Sequence, residues 1–287
     1  LFILENLSRK KAQYHTPSKG GFKSKSLTSL NGYKSTLALF FCATVFFISF
    51  LFPVLQMLYW TIIFPKHLAD LNLMELFLNT ILLVFLSSIV LITLAFISNY
   101  GNRVSKSKFL EILTTFSISG YAIPGIILAV AFITFVSWFD NNVVNFFGFN
   151  TIKSIFIGSI FGLVIVYFVR FYSLASNGIK SGYLKINYSI DESAYLLGYS
   201  KFRTFKEIHI PYLKNSMLLI GILIAIEIIK ELPITLIMRP FNFETFATTA
   251  YVFASQDLLE AAAAPSLFLI LIASFFIIIT SRYILKD

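Results

Sequence analysis

Three charged side chains lie in the middle of a long apolar run. Residues 217–238 read MLLIGILIAIEIIKELPITLIM, and Glu227, Lys230 and Glu231 interrupt this run at spacings of three and four residues. Such spacings place all three side chains on one face of a helix. A charge at membrane depth costs roughly 2.5–3.5 kcal/mol on insertion scales. The pattern is therefore typical of a polar path through a membrane or of a buried ion pair.

The same run carries a helix breaker. Pro233 cannot donate the backbone hydrogen bond that a continuous helix needs, so it is expected to bend or break the helix there. Thr235, four residues after Glu231, could add a hydroxyl to the charged face. A broken helix with charges at its break is how many membrane proteins build a midplane site. Residues 227–235 are accordingly candidates for a translocation path.

A purely structural interpretation of these charges stays open beside the first. Glu227 and Lys230 could neutralise each other, and Glu231 could pair with a neighbouring helix. Arg170 lies near the inner end of another apolar run, and we expect its side chain to reach the membrane–water interface. Residues 120–125, GYAIPG, form a second break, interpreted as a packing feature of a helix bundle.

A second charged stretch, residues 191–211, separates two apolar runs and reads DESAYLLGYSKFRTFKEIHIP. Ser189 and Glu192 have the spacing of a capping box, which predicts a helix start. Gly198 stands where a left-handed residue would end that helix. Three apolar residues follow one another at helical spacing within it: Ile190, Ala194 and Leu197. This half of the stretch is predicted to be a short helix closed by a glycine elbow.

The other half of the stretch predicts a second short helix at the membrane surface. Phe202, Phe205 and Ile208 are expected on one side of it. Pro211 is expected to start the next long helix, because proline is favoured in a first helical turn. The interpretation is a helix, an elbow and a second helix. The alternative is an ordinary amphipathic interfacial helix in which Glu192 is only a cap.

The composition excludes several classes of protein. Of 287 residues, 57% are hydrophobic and 13% charged, about half the charged share of a soluble domain. The lone Cys42 cannot form an internal disulfide, and the three histidines have no metal-ligand spacing. No phosphate-binding loop of the G-x-x-x-x-G-K-[ST] type occurs, so the chain is not expected to hydrolyse ATP. No catalytic residue and no metal site are predicted.

Six apolar runs are each near the 20 or so residues needed to cross a membrane, and all are expected to be helices. A basic segment at 1–35 precedes them, and its first residues, LFIL, resemble the last turn of an earlier helix. We therefore expect the chain to be a piece of a longer polypeptide, with a membrane domain at 36–287. The predicted spans are 36–64, 76–98, 111–139, 152–176, 216–238 and 264–284.

Lysine and arginine predict the orientation of these spans. If the basic segment is cytoplasmic, 18 basic residues lie on the cytoplasmic side and three on the other, namely Lys66, Lys153 and Arg239. By the positive-inside rule both termini are then cytoplasmic, and so is the loop at 180–214. This distribution also explains the net charge of +9 without a nucleic-acid partner.

The loop resembles the EAA loop of ABC importer permeases. That pattern is E-A-A, three residues, G, nine residues and I-x-L-P, and here it reads Glu192-Ser193-Ala194, Gly198 and Ile208-His209-Ile210-Pro211. The departures are Ser193 for alanine and Ile210 for leucine. The resemblance implies an all-α integral membrane protein with the six-helix type I importer permease fold and a cytoplasmic coupling helix between helices 4 and 5. The residues implied in ATPase coupling are Glu192, Ala194, Gly198, Phe202, Phe205, Ile208 and Pro211.

The same resemblance implies the partners. They are a cytoplasmic ABC ATPase dimer that carries ATP-Mg, a periplasmic binding protein and a second permease half, fused or separate, in the bacterial inner membrane. No cofactor is expected on this chain. The segment from Lys230 to Thr245, KELPITLIMRPFNFET, followed by Tyr251 to Asp257, is similar to iron(III) uptake permeases. So are residues 120–125 and the Tyr14-His15 stretch. This implies ferric iron as substrate and the second half of a fused permease.

Other functions stay open on the sequence alone. An ABC permease for thiamine, a polyamine, sulfate or a phosphonate would share the loop. An ion-driven secondary transporter would use Glu227 and Glu231 as proton or cation sites. A scaffold or sensor subunit would leave the broken fifth span unexplained.

Overall fold

The computed structural model describes residues 30, 32–105, 107–139, 142 and 156–284, with the side chains of 283 and 284 left out. Most of the basic segment predicted at 1–35 lies outside the described residues. So do Tyr14-His15, Lys106, Lys153, Lys286 and the beginning of the predicted fourth span.

The chain divides after Phe52 into two units. In the first unit, α1 runs over Tyr33–Phe46 and is followed by a π-helical turn at Phe47–Leu51, with no buried residue in either. Exposed phenylalanine and leucine side chains cover this helix, as expected of a segment whose solvent is lipid.

The second unit holds the helix bundle, and its described residues form helices and connecting segments without strands. Twelve α-helices follow in chain order. They are α2 (Phe52–Ile63), α3 (Pro65–Ala69), α4 (Leu73–Ser105), α5 (Lys108–Ile118), α6 (Gly125–Phe139), α7 (Ile160–Tyr183), α8 (Tyr188–Leu196), α9 (Lys201–Thr204), α10 (Ile210–Ile229), α11 (Pro233–Met238), α12 (Phe246–Ser255) and α13 (Leu259–Ile284).

Five helical stretches are long and apolar enough to cross a membrane. A sixth span results if α5, with its 3₁₀ turn at Ser119–Ala122, is joined to α6 across a bend of 117°. The prediction of six spans is thereby confirmed, and so is the break at 120–125. The stretches are Tyr33–Ile63, Leu73–Ser105, Ile160–Tyr183, Lys201–Ile229 and Leu259–Arg282, with the bent pair Lys108–Ala122 and Gly125–Phe139.

The core lies where α4, α7, α10 and α13 pack together. Leu91 of α4, Tyr167 and Phe171 of α7 and Ile224 of α10 are all fully buried. Close packing of such side chains drives helix association inside a membrane, where no hydrophobic force acts between helices. The intact helix α7 contacts α4, α5, α6, α10 and α11, so it is the central element of the bundle.

Two features differ from the sequence prediction. The long helix that contains Pro211 begins at Lys201, and a π-helical turn at Phe205–His209 carries it through the proline. Pro211 lies in the first turn of α10, as predicted, but α10 continues the helical stretch from Lys201 and does not begin a separate one. Arg170 is the eleventh residue of the 24-residue α7, far from the inner end where it was expected.

Candidate functional site

The charged stretch at 191–211 folds as a short helix, an elbow and a second helix. Helix α8 starts behind Asn187, whose side chain accepts a hydrogen bond from the Ser189 amide at 3.2 Å. The predicted capping box of Ser189 with Glu192 is therefore wrong, because the helix starts earlier and its N-cap is Asn187. Glu192 is exposed on α8.

The glycine elbow is confirmed. Gly198 has φ +80°, the left-handed backbone conformation that residues other than glycine rarely adopt. The Gly198 amide donates to the Tyr195 carbonyl and the Tyr199 amide donates to the Ala194 carbonyl, both at 3.0 Å. This pair of bonds is a Schellman motif, which satisfies the last carbonyls of α8. Nothing lies within 4 Å of the position a Cβ would take on Gly198.

Asp191 ties this stretch to the rest of the bundle. One carboxylate oxygen accepts from Nε of Arg103 at 2.7 Å, and the other hydrogen-bonds Nε2 of His209 at 2.7 Å. Arg103 comes from the last turn of α4, and His209 is fully buried at the end of the π turn. The three residues, called here the Asp191 cluster, therefore join α4, α8 and the second helix.

Further contacts hold the Arg103 guanidinium in place. It donates to the backbone carbonyls of Tyr183, Ile186 and Asn187 at 3.1–3.4 Å. Its plane also lies 4.2 Å from the ring centroid of Tyr188. All three guanidinium nitrogens thus have acceptors, as a buried charge requires. The Asp191 cluster could not be predicted from the sequence, because nothing in the spacing of its members brings them together.

The residues implied in ATPase coupling do not share one side. Phe205 turns inward, with its ring 4.8 Å from Phe96 and 4.7 Å from Tyr100. Ala194 is buried and Ile208 is half-buried, so neither offers an open surface. Pro211 is exposed beyond the π turn.

A different apolar surface is open at the elbow. Leu196 is 89% exposed, Leu197 78% and Phe202 74%, on either side of Gly198. Of the residues implied in ATPase coupling only Phe202 belongs to this set, called here the elbow patch. Leu197, expected at helical spacing after Ala194, is the C-cap of α8, where the helix ends and the side chain is exposed.

The break in the fifth span is confirmed and lies at Pro233. Helix α10 ends at Ile229 and α11 begins at Pro233. Lys230 is exposed, and its ammonium lies 2.7 Å from the carboxylate of Glu227. Glu231 is buried and pairs with Arg170, whereas Glu227 pairs with Lys230. The chain leaves the helical path after Ile229, which changes the direction of the Glu231 side chain.

Glu231 pairs with the middle of α7. Its Oε2 lies 3.5 Å from Nε of Arg170, and its Oε1 accepts from the Ile234 amide at 3.4 Å. The expectation that Arg170 reaches the interface is therefore wrong. Thr235 is fully buried; it donates to the Glu231 carbonyl at 2.6 Å and hydrogen-bonds Tyr167.

The bent pair of α5 and α6 also approaches Arg170 and Glu231. A Cβ on Gly125, the first residue of α6, would lie 2.3 Å from Nη1 of Arg170 and 2.8 Å from Oε1 of Glu231. A Cβ on Gly120 would lie 2.1 Å from the backbone oxygen of Val169. Glycine is thus required for both breaks to approach α7 closely. Arg170 and Glu231, called here the midspan pair, lie where α6, α7 and α11 converge.

Within the described part of the chain, no three His, Cys, Asp or Glu side chains come together as metal ligands would. The expectation of no metal site is not contradicted by these residues. Charged groups are instead concentrated in the Asp191 cluster, the midspan pair, the Glu227–Lys230 pair and a pair between Arg239 and Glu244.

No family model matches the chain. It is similar to the Fe(3+)-transport system permease protein FbpB 2 of Haemophilus influenzae, with 20% identity over 280 residues. This match covers 96% of the chain and 53% of the relative, so the chain spans about half the length of the curated relative it matches.

Solved structures of bacterial ABC transporters share the architecture. A chain of an alginate ABC transporter, in complex with an alginate pentasaccharide-bound periplasmic protein, matches with TM-score 0.68 and 16% identity over 86% of this chain and 93% of that one. A chain of an ABC transporter involved in the import of the acidic polysaccharide alginate matches with TM-score 0.62 and 19% identity, over 86% and 95%. The chain has the helical fold of an ABC transporter permease.

Proposed function

We propose that this chain is a membrane-spanning permease subunit of an ATP-driven importer. Its translocation path would receive a substrate from a periplasmic binding protein. The observation that carries the proposal is the charged stretch at 191–211. It presents an exposed apolar patch around a left-handed glycine, and the Asp191 cluster anchors it to a long helix of the bundle. Such a patch on a polar loop is typical of a protein-binding surface.

The partner that fits this surface is a cytoplasmic ABC ATPase dimer carrying ATP-Mg. Leu196, Leu197 and Phe202 would enter an apolar cleft of the ATPase, and exposed Glu192 would lie at the rim. Because the cluster joins α8 to both α4 and the second helix, a displacement of α8 would move the other two with it. We propose this rigid lever as the route by which ATP closure reaches the bundle.

The membrane arrangement follows from the same proposal. The chain would lie in a bacterial inner membrane with both termini cytoplasmic, as the distribution of lysine and arginine predicts. A second permease half, fused or separate, would complete the path. The match to an Fe(3+)-transport permease over half of that relative's length is consistent with this arrangement.

Ferric iron is the substrate we propose. Support comes from the match to an Fe(3+)-transport permease over nearly the whole chain, together with the KELPITLIMRPFNFET segment. The two alginate transporters share the fold at under 20% identity, so they carry no weight for the substrate. Thiamine, polyamines, sulfate and phosphonates remain substrates to compare in uptake assays.

Co-purification tests the transporter class. The chain is expected to retain an ABC ATPase in detergent, and vesicles holding the complex should take up iron in a vanadate-sensitive manner. Leu196→Asp with Leu197→Asp should abolish co-purification, because two carboxylates would be buried in the interface. Phe241→Asp is the matched control, since Phe241 is 99% exposed in the segment after α11. Vanadate-resistant uptake driven by an ion gradient would show a secondary transporter instead.

A substitution at the elbow tests the lever. Gly198→Trp is expected to uncouple ATP hydrolysis from transport, because the left-handed turn would be strained and the elbow patch blocked. The measurement is the ratio of substrate taken up to ATP hydrolysed in the reconstituted complex. Normal substrate-stimulated uptake in this variant would contradict the lever.

A further inference from the structure

The Arg170 guanidinium lies deep in the bundle. At 1.5 Å per residue, the backbone of Arg170 is about 15 Å from one end of α7 and about 20 Å from the other. An arginine at such a depth is costly and marks a functional site by default. Its side chain is 22% exposed, so it is neither sealed in the core nor free.

The pairing of this guanidinium is incomplete. Its Nε lies 3.5 Å from Oε2 of Glu231, and neither Nε nor Nη1 has a hydrogen-bond acceptor among the described residues, although both atoms are buried. Arginine has five N–H donors and no acceptor. Two nitrogens of a permanent charge thus lack an acceptor, although they are buried against α6.

Glu231 does not supply enough acceptors for the Arg170 guanidinium. One of its oxygens accepts from the Ile234 amide, at the start of α11. Its remaining contact with Arg170 is long compared with the 2.7–2.9 Å of a good charge-assisted bond. A ring contact of the guanidinium with the neighbouring Phe171, at 5.7 Å, supplies no acceptor oxygen.

The surroundings favour an anionic group over a bare cation. Glu227 is already neutralised by Lys230 at 2.7 Å, and the described residues bring no three metal-ligand side chains together. An incoming cation would meet the fixed charge of Arg170, and among the described residues no three His, Cys, Asp or Glu side chains come together to hold it. An oxyanion would find planar, forked donors that match carboxylate, phosphate and sulfate.

We infer that Arg170 binds an oxyanion group of the transported species, and that Glu231 is the counter-ion that lies beside it when the path is empty. The inference rests on the proposed function and names the class of its substrate. Ferric iron would then pass with carboxylate or phosphate oxygens still attached to it. Sulfate and phosphonates fit the same donors, whereas thiamine and polyamines do not.

Two neutral substitutions in the reconstituted transporter test this inference. Vesicles holding the complete complex take up radioactive iron presented by its binding protein. Arg170→Gln should lower uptake by about tenfold or more, because bonds to a charged donor are lost. Glu231→Gln should lower uptake less than Arg170→Gln does, because its amide oxygen still accepts from Ile234. Arg170→Lys keeps the charge and should fall between them. Co-purified ATPase shows that each variant is assembled.

Three outcomes would overturn the inference. Equal losses in both neutral variants, with recovery in the double variant, would show a purely structural pair. A loss confined to Glu231→Gln would show a cation path. Full uptake in Arg170→Gln would remove Arg170 from the path.

The wild-type vesicles report on the proposed function separately. Wild-type uptake of sulfate instead of iron, with the same order of variants, would reject ferric iron and support the oxyanion site. Wild-type uptake of a polyamine would reject both.

Discussion

The Asp191 cluster and the midspan pair are both buried charge clusters, but they differ in how completely the carboxylate and the guanidinium of each are paired. Both oxygens of Asp191 and all three nitrogens of Arg103 have partners, at distances as short as 2.7 Å. Arg170 and Glu231 approach only to 3.5 Å, and two nitrogens of Arg170 have no acceptor among the described residues. A fully paired charge holds elements together, whereas an incompletely paired one is ready to exchange its partner.

The largest expected effect on stability comes from breaking the Asp191 cluster. Asp191→Ala leaves buried Arg103 and His209 without their carboxylate, a change that costs about 3–5 kcal/mol for a buried pair. We expect a large fall in the apparent melting temperature in detergent and loss of the co-purified ATPase. Replacing the pair by apolar residues, Arg103→Met with Asp191→Leu, should recover part of the stability. An unchanged melting temperature in Asp191→Ala would contradict the anchoring role.

Substitutions in the midspan pair should reduce transport more than they reduce the free energy of unfolding. Arg170→Gln is expected to cost about 1–3 kcal/mol, less than Asp191→Ala, because fewer and longer contacts are lost. Thermal unfolding of the two variants side by side measures the difference. The comparison fails if Arg170→Gln is the more destabilising of the two.

Alanine substitutions at the two glycines of the breaks compare a clash with backbone atoms and a clash with a side chain. In Gly120→Ala the new Cβ would press on the Val169 backbone oxygen, and such overpacking costs typically about 1–3 kcal/mol. In Gly125→Ala it would meet the movable end of Arg170, so stability should change less while iron uptake falls several-fold. Melting temperature and uptake on both variants check this. Equal effects on the two measurements would show that the approach to Arg170 has no special role.

The elbow should show a smaller effect on stability. Gly198→Ala adds no clash but forces an L side chain into φ +80°, at a cost of roughly 1–2 kcal/mol. We expect a modest loss of stability and of the ratio of transport to ATP hydrolysis. Gly101→Ala in α4 is the control, because that glycine is helical and has open space around it. A Gly198→Ala variant that behaves like this control would contradict a strained elbow.

The smallest effect on stability is expected at an exposed ion pair. Arg203 and Glu207 are 3.0 Å apart on one helix face and about half exposed. Arg203→Ala should change stability by only about 0.3–0.5 kcal/mol, as is usual for exposed pairs of this spacing. Thermal unfolding that shifts as much as in Asp191→Ala would mean that pairing distance, not burial, governs these clusters.

Features that depend on neighbouring residues alone could be predicted from the sequence. The spans follow from apolar length, since the helix is the one structure that satisfies its own backbone in lipid. The break at Pro233 follows from a missing donor, and the left-handed turn at Gly198 from a missing Cβ. Each of these is a local rule, and each prediction was confirmed.

Which charges pair was decided only by the tertiary structure. Arg103 and Asp191 are 88 residues apart, and Arg170 and Glu231 are 61 apart, so no local pattern links them. Phe205 turned inward because Phe96 and Tyr100 of α4 lie against it. A side chain's partner depends on which helices meet and at what depth, and that is settled by packing of the whole bundle. The sequence by itself therefore determined the helices and their breaks, while the tertiary structure decided which of their polar groups are held and which are left open.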